Sequence, residues 1–191
     1  RSILELGGNN AGIVCPSADL DMTLRAVAFG AMGTAGQRCT TMRRVFIHEA
    51  VYDTLLPRLA RAYERVTVGN PLETQALVGP LIDRSAFEAM QAALSAAKAV
   101  GGIVYGGERM PVGPETAYYV RPALVEMPDQ VGPVPEETFA PILYVMKYSD
   151  FSDVIEKHNA VGAGLSSSIF TLDLREMEMF LSASGSDCGI A

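Results

Sequence analysis

The stretch from Ile142 to Phe170 decides the fold class of this 191-residue chain. It reads ILYVMKY at 142–148, DFSDVIEKH at 150–158 and SSIF at 167–170. The first and third segments carry β-branched and aromatic residues and indicate strands, whereas the middle one starts at a helix-capping Asp150 and indicates a short helix. A strand, a helix and a second strand in succession are typical of a parallel sheet with crossover helices. We therefore predict an α/β fold with a mostly parallel sheet.

The same alternation continues toward the amino end of the chain. Further helices are predicted from Asp19 or Asp21 to about Met32, from Val51 through Tyr63, over 87–100 and over 172–184. Further strands are predicted at 45–47, 103–105 and 123–126. The first helix is rich in small residues and should be buried, the second should lie on the sheet surface, and Gly101 with Gly102 should end the third. The proline-rich segment 127–141 should be an irregular loop, and the absence of repeats or linkers predicts one domain.

Composition excludes several classes of protein. Hydrophobic residues make up 49% and charged residues 19% of the chain, which supports a sizeable core and excludes disorder. A net charge of −7 argues against a nucleic-acid partner. We expect no membrane contact, because no apolar run approaches the ~20 residues of a spanning helix and no cationic leader opens the chain. The three cysteines are too few for a disulfide framework, which predicts a reducing compartment, cytoplasmic or an organelle matrix. The chain starts and stops within apolar runs, which predicts an excised piece.

Cys39 is the first candidate for chemistry among the three cysteines. Cys15, Cys39 and Cys188 form neither a disulfide framework nor a metal-binding pattern, so we expect no metal. Cys39 lies in GTAGQRCTT at 33–41, directly after Arg38. A neighbouring guanidinium and converging backbone N–H groups favour the nucleophilic thiolate. An inert, buried cysteine would show the same local pattern, and the local sequence leaves both interpretations open.

Two other segments supply candidate carboxylates. Glu5 is the only charge in the apolar run 3–6, where burial would make it a better general base for water; a strand-edge glutamate facing solvent is the alternative. In PEETFAP at 135–141, Glu137 could accept hydrogen bonds from ribose hydroxyls and Phe139 could flank a flat cofactor. An ordinary acidic loop would look the same.

Taken together, the three segments resemble the aldehyde dehydrogenase superfamily. LELGG at 4–8 resembles the family's glutamate signature and GQRC at 36–39 resembles its cysteine signature, with the family's usual interval of 34 residues (39 − 5) between Glu5 and Cys39. Glu137 and Phe139 match the family's E-x-F-G-P segment, although Ala140 replaces the usual glycine, which bears on loop geometry. The resemblance covers essentially the whole chain and implies the catalytic-domain fold of that superfamily over 1–191.

Five segments resemble one branch of the superfamily in particular, the antiquitins or α-aminoadipic semialdehyde dehydrogenases. They are residues 7–11, 36–41, 137–145, 164–171 and 184–190. This resemblance implies α-aminoadipic or a related semialdehyde as the substrate and a place in lysine catabolism. Arg38 could then pair with the carboxylate of such a semialdehyde, or it could instead brace the loop against an internal carboxylate.

The resemblance also implies a mechanism, with NAD or possibly NADP as the cofactor. Cys39 would attack the aldehyde to give a thiohemiacetal, and hydride transfer would leave a thioester that Glu5 hydrolyses by activating water. The Cys39 N–H would form half of the oxyanion hole. Glu137 would hold the nicotinamide ribose beside Phe139, and the backbone of residues 6–7 (Leu6 and Gly7) would lie near the nicotinamide.

In this family the dinucleotide-binding domain and a second oxyanion donor, an asparagine, precede the glutamate signature. No G-x-G-x-x-G occurs in the 191 residues. We therefore expect a catalytic domain alone, inactive when isolated, from a parent enzyme that is a homo-oligomer and acts on a small-molecule aldehyde. Two other functions stay open: a cofactor-free thiol esterase or acyl-hydrolase that uses Cys39 and Glu5, and a non-catalytic structural fragment.

Overall fold

The computed structural model describes residues 1–3, 5–73 and 75–191. The strands in this part of the chain are β1 (Asn10–Val14), β2 (Met42–His48), β3 (Ile103–Tyr105), β4 (Ala123–Glu126), β5 (Ile142–Tyr148) and β6 (Ser167–Phe170). The α-helices are α1 (Leu20–Met32), α2 (Glu49–Arg65), α3 (Arg84–Ala99), α4 (Phe151–Asn159) and α5 (Leu174–Leu181). A short 3₁₀ turn, Gly33–Gly36, follows α1 directly.

The strands form one six-stranded sheet in the order β3-β4-β5-β2-β1-β6. All neighbouring pairs are parallel except the edge strand β3, which runs antiparallel to β4. The chain crosses over through α1 between β1 and β2, and through α4 between β5 and β6. The predicted α/β fold with a mostly parallel sheet is confirmed.

Local sequence signals explain where most helices begin and end. Asp19 caps α1 by accepting the backbone N–H groups of Asp21 and Met22, and Asp150 caps α4 in the same way. Helix α3 ends where Gly101 adopts a positive φ of 91°, which lets the Gly102 N–H reach the Ala97 carbonyl at 2.8 Å. These three boundaries agree with the sequence predictions because each depends on a residue that acts within its own turn.

The structure differs from the sequence predictions at three elements: one strand that was not predicted and two helices whose burial or length was predicted wrongly. Strand β1 was not predicted, since NAGIV begins with polar and small residues; it forms because it pairs on both sides and is buried throughout. Helix α1 is buried along one face only, with Phe29 57% exposed on the other. Helix α5 is shorter than expected, because Asp173 caps it and it ends at Leu181.

The core lies between the sheet and the helices that cover it. Helix α2 packs on β2, β4 and β5, which confirms its predicted place on the sheet surface. Segment 127–141 contains no helix or strand, as expected from its prolines. Within residues 1–3, 5–73 and 75–191, no helix combines the length and the apolar character needed to cross a membrane.

Candidate active site

The motif segments all lie ahead of parallel strands. Residues 5–9 precede β1, the Cys39 loop precedes β2, and residues 137–141 precede β5. Parallel strands place their amino ends at the same edge of a sheet, so the fold brings the three segments together. Open α/β sheets usually bind ligands at the carboxyl ends of their strands. Here the candidate site lies at the opposite edge.

The loop that carries Cys39 starts with an unusual backbone. Thr34, Ala35 and Gly36 have positive φ values of 56°, 53° and 68°, the left-handed conformation that costs free energy in residues with a Cβ. A Cβ atom on Gly36 would overlap the carbonyl group of Ala140. Glycine is therefore required at this position of the cysteine motif by both conformation and space.

Three hydrogen bonds of Gln37 and Arg38 fix the position of the loop around the thiol. The Gln37 side chain accepts the Ile82 N–H at 2.8 Å and donates to the Pro80 carbonyl at 3.2 Å. The Arg38 N–H donates to Thr41 Oγ1 at 3.1 Å, which closes the turn around Cys39. Cys39 itself is exposed. Within the described part of the chain its backbone N–H has no hydrogen-bond partner, so it is available to a ligand.

Asn10 connects this loop to the sheet. Its side-chain amide donates to the carbonyls of Cys39 at 2.7 Å and Thr41 at 2.8 Å. Its Oδ1 accepts the N–H groups of Leu165 and Ser166 at 3.1 and 2.8 Å. One buried amide thus links β1, the Cys39 loop and the segment that leads into β6.

Glu137 is held against the glycine pair that follows Glu5. Its Oε1 accepts the Gly8 N–H at 3.2 Å and a hydrogen bond from Arg43 Nη2 at 3.0 Å. A Cβ on Gly7 would overlap the Glu137 carboxylate, so glycine at position 7 makes the close approach possible. The structure therefore joins the glutamate motif and the Glu137 segment, which are more than a hundred residues apart in sequence.

The residues at this edge fit the ribose and nicotinamide end of a dinucleotide. Both described hydrogen bonds of Glu137 go to Oε1, which leaves Oε2 free within the described residues to accept from ribose hydroxyls. The Phe139 ring is 44% exposed, with the Arg43 guanidinium 5.1 Å from its centroid. Leu6 is 69% exposed and Gly7 is exposed beside the carboxylate, so both can contact a ligand.

Glu5 and Arg38 lie in different surroundings. Glu5 is exposed, as the alternative of a glutamate that faces solvent predicted, so the expectation of burial was wrong. It lies in a segment without regular structure rather than at the edge of a strand. The Arg38 guanidinium lies 5.3 Å from the centroid of the Phe29 ring, and its Nη2 is 3.5 Å from the Phe29 carbonyl oxygen. Its Nε is buried without a hydrogen-bond partner among the described residues. Among the described residues, Arg38 therefore contacts α1 rather than a carboxylate.

Sequence reasoning missed Arg43 and Asn10. The signal for Arg43 was available: two adjacent arginines, Arg43 and Arg44, open an otherwise apolar strand. Charges in a buried strand are rare unless they are paired. Among the described residues, no group of three or more His, Cys, Asp or Glu side chains is placed to hold a metal ion.

The two larger cavities lie away from the motif residues. Two open cavities of about 530 and 710 Å³ lie along segments 67–76 and 109–119 and contain none of the motif residues. A smaller cavity of about 220 Å³ is lined by Thr40, Asn10 and Ser166, directly beside the nucleophile loop. We locate the site from the motif geometry, because the larger cavities bring together no candidate nucleophile and base.

The fold and the site define the class, a parallel α/β domain with a candidate cysteine nucleophile at the amino ends of its strands. The chain belongs to the aldehyde dehydrogenase family, whose family model matches residues 1–190. Similar curated proteins include aldehyde dehydrogenase family 7 member A1 of Pisum sativum, 48% identical over 191 residues, and α-aminoadipic semialdehyde dehydrogenase of Mus musculus, 47% identical over 192 residues. Both alignments cover 100% of this chain and 37% and 35% of the respective relatives.

Solved structures show the same fold. Lactaldehyde dehydrogenase from Escherichia coli superimposes with a TM-score of 0.91 at 31% identity over 97% of this chain and 39% of that one. A 1-pyrroline-5-carboxylate dehydrogenase superimposes with a TM-score of 0.89 at 26% identity, over 97% and 35% of the two chains. The chain thus spans little more than a third of the length of the curated relatives it matches.

Proposed function

We propose that residues 1–191 form the catalytic domain of an enzyme that oxidises an aldehyde to the carboxylic acid with NAD or NADP. The observation that carries this proposal is the exposed Cys39, whose free N–H lies in a loop tied by hydrogen bonds to the segment of Glu137. A thiol esterase needs no cofactor-binding carboxylate. The free oxygen of Glu137 therefore favours a cofactor-dependent reaction over the esterase.

The chain's own residues perform the covalent part of the reaction. Cys39 Sγ attacks the aldehyde carbon, and its backbone N–H donates to the oxygen that becomes negatively charged. After oxidation, the acyl group is held as a thioester on the same sulfur. Glu5 accepts a proton from the water that attacks this thioester, and the acid leaves as the thiol is restored. Since Glu5 is exposed, it meets water without rearrangement of the core.

The cofactor supplies the hydride acceptor when it is bound. Glu137 would accept hydrogen bonds from the ribose through Oε2, while Oε1 stays bonded to Gly8 and Arg43. Phe139 would pack beside the cofactor, and the backbone of residues 6–7 would contact the nicotinamide end. These groups bind and orient, whereas Cys39 and Glu5 carry out the bond changes.

Removal of the base and of the nucleophile should separate the two halves of the reaction. In the complete enzyme, Glu5→Gln should still give a burst of NADH and then turn over about 10²–10⁴-fold more slowly, because deacylation lacks its base. Cys39→Ala should give no burst. Stopped-flow absorbance at the NADH band measures both, with Glu136→Gln and Cys188→Ala as controls outside the site. Normal turnover in Glu5→Gln, or a burst in Cys39→Ala, would contradict the proposal.

Arg38 is proposed to bind the carboxylate of a semialdehyde substrate. The guanidinium contacts Phe29 rather than a carboxylate among the described residues, which supports this role, and the names of the relatives point to α-aminoadipic semialdehyde. Arg38→Ala should lower kcat/KM on an anionic semialdehyde, by an amount that corresponds to about 1.5–3 kcal/mol of activation free energy. The kcat/KM on an uncharged aldehyde of equal length should be unchanged. Arg25→Ala, on the exposed part of α1, controls for the loss of a positive charge. Equal losses on both substrates would make Arg38 a brace for the loop.

We also infer a homo-oligomeric parent enzyme that acts in the cytoplasm, from the family resemblance and from the composition. Gel filtration of the complete enzyme and fractionation of the cells that make it measure these two properties.

A further inference from the structure

The side chain of Arg43 is buried, with 2% of its surface exposed, and each of its five N–H donors has a partner. Nε donates to the Gly8 carbonyl at 3.2 Å, and Nη1 donates to the carbonyls of Gly36 at 3.2 Å and Thr138 at 2.8 Å. Nη2 donates to the Arg38 carbonyl at 3.2 Å and to Glu137 Oε1 at 3.0 Å. The guanidinium is saturated by the three motif segments alone.

These partners belong to segments with different functions. Gly36 and Arg38 flank Gln37 in the loop that leads to Cys39, whereas Glu137 and Thr138 belong to the proposed cofactor segment. A guanidinium is planar and rigid, so groups bonded to its edges are fixed relative to one another. A shift of the Glu137 carboxylate therefore has to displace the guanidinium or break one of its bonds to the nucleophile loop.

The backbone places Arg43 at this point by an irregularity in the sheet. Asn10 and Ala11 are consecutive in β1, but their partners in β2 are Met42 and Arg44. Arg43 is thus an extra residue in the pairing. Such bulges redirect a side chain and are common beside active sites. Burial lowers the pKa of Arg43, and the Glu137 carboxylate opposes this shift, with a smaller opposing contribution from Cys39.

We propose that Arg43 is a positioning residue that couples the cofactor-holding carboxylate of Glu137 to the loop of Cys39. This inference rests on the proposed function, because it assigns the cofactor to Glu137 and the nucleophile to Cys39. The coupling acts in both directions. Loss of the Arg43 hydrogen bonds to the Cys39 loop, or of those to the Glu137 segment, changes both the cofactor affinity and the reactivity of the Cys39 thiol. Arg43 itself touches no reacting atom.

The adjacent Arg44 provides a matched control. It is 1% exposed, and its five donors are also satisfied. Its partners are the carbonyls of Asn9, Lys157 and His158 and the side chain of Gln130. None of them belongs to the cysteine loop or to the Glu137 segment. Arg44→Lys therefore removes an equally buried guanidinium while the five partners of Arg43 stay unaltered; of the Arg44 partners, Asn9 belongs to the motif segment 5–9.

The test measures two quantities that require no aldehyde. In the complete enzyme, NAD affinity is measured by fluorescence titration, and the rate of Cys39 alkylation by limiting iodoacetamide is measured by peptide mapping. Arg43→Lys should weaken NAD binding on the order of tenfold, the size of one charge-assisted hydrogen bond, and should change the alkylation rate. Arg44→Lys should lower the melting temperature and leave both quantities unchanged.

A double-mutant cycle shows whether Arg43 carries the coupling. Glu137→Gln should change the alkylation rate of Cys39 in the free enzyme on the order of fivefold, and this effect should disappear in the Arg43→Lys background. In the Arg44→Lys background it should persist. Glu137→Gln alters a partly exposed side chain, so it keeps the test available if Arg43→Lys does not fold.

Three results would overturn the inference. They are an alkylation rate unchanged by Glu137→Gln, strict additivity of Glu137→Gln with Arg43→Lys, or equal effects of Arg43→Lys and Arg44→Lys. An enzyme that binds no NAD even as wild type would refute the proposed function instead. The alkylation cycle would then still decide whether Arg43 couples the two segments.

Discussion

Burial separates the three thiols of the chain at the scale of single residues. Cys15 is fully buried, and burial raises its pKa to about 12, so it stays protonated at neutral pH. Cys188 is half-buried, with its sulfur 3.8 Å from Nε2 of His158. Cys39 alone among the three is exposed. The choice of nucleophile thus depends on accessibility as well as on the motif.

His158 makes the stability of the protein depend on pH. It is 1% exposed, and burial, followed by repulsion from Arg44, lowers its pKa to about 4. The unfolded chain, with a histidine pKa near 6.5, binds a proton between about pH 6.5 and 4 that the folded chain does not. The free energy of unfolding should therefore fall by roughly 3 kcal/mol as the pH drops through this window, and the histidine should add no further loss below it.

Urea denaturation at intervals from pH 7 to pH 4 measures this dependence. His158→Gln should remove the histidine contribution, while His48→Gln, at the end of β2, should retain it. The backbone N–H groups of Met22 and Asp21 lower the pKa of Asp19, and the hydrogen bond from Lys157 lowers the pKa of Asp129. The stability that these carboxylates contribute is lost as the pH falls toward the lower end of the window and below it, and this loss is common to wild type and His158→Gln. An identical slope in wild type and His158→Gln would show that His158 is not the responsible group.

At the scale of elements, the turn between α1 and β2 should tolerate no side chain at Gly36. Gly36→Ala combines a positive φ of 68° with overlap on the Ala140 carbonyl group, so the cysteine loop has to move. We expect a loss of stability of about 1–3 kcal/mol and a large loss of activity in the complete enzyme. Thermal unfolding and NADH production measure the two effects.

Gly30→Ala in the neighbouring helix is the matched control. A Cβ there would lie 3.7 Å from Met42 Cβ, an ordinary contact, and the residue is inside α1. Alanine should therefore raise the free energy of unfolding by about 0.5–1 kcal/mol without affecting activity. A Gly36→Ala variant as stable and active as Gly30→Ala would contradict the role assigned to the turn.

At the scale of the whole molecule, we predict that the isolated 191-residue chain folds but does not oxidise aldehydes. The sheet and its helices form a continuous core, which should unfold cooperatively. The resemblance places the dinucleotide-binding domain and one oxyanion donor outside these residues, and loss of one such donor typically costs about 10²–10³ in kcat. Circular dichroism tests whether the isolated chain folds, and NADH absorbance tests whether it oxidises aldehydes. The complete enzyme is the positive control. NADH formation at enzymatic rates by the isolated chain would contradict the prediction.

The sequence by itself determined the fold class, most element boundaries and the identity of the motif residues. These properties depend on local chemistry: Asp19 caps a helix, Gly101 ends one, and the segment 142–148 carries the β-branched and aromatic residues that favour a strand. Residues around Cys39 and Glu137 were recognisable because their order and spacing are those of a known family. The roles assigned to Glu5 and Arg38 came from the same source.

Only the tertiary structure decided how the motifs meet. Strand β1 forms because β2 and β6 pair with it on both sides. No local sequence pattern predicts this pairing. The parallel sheet brings the segments ahead of β1, β2 and β5 to one edge. The bulge at Arg43 directs its guanidinium to the point where these three segments meet. The physical reason is that a buried charge needs partners on all sides, and the folded chain supplies those of Arg43 from positions 8, 36, 38, 137 and 138.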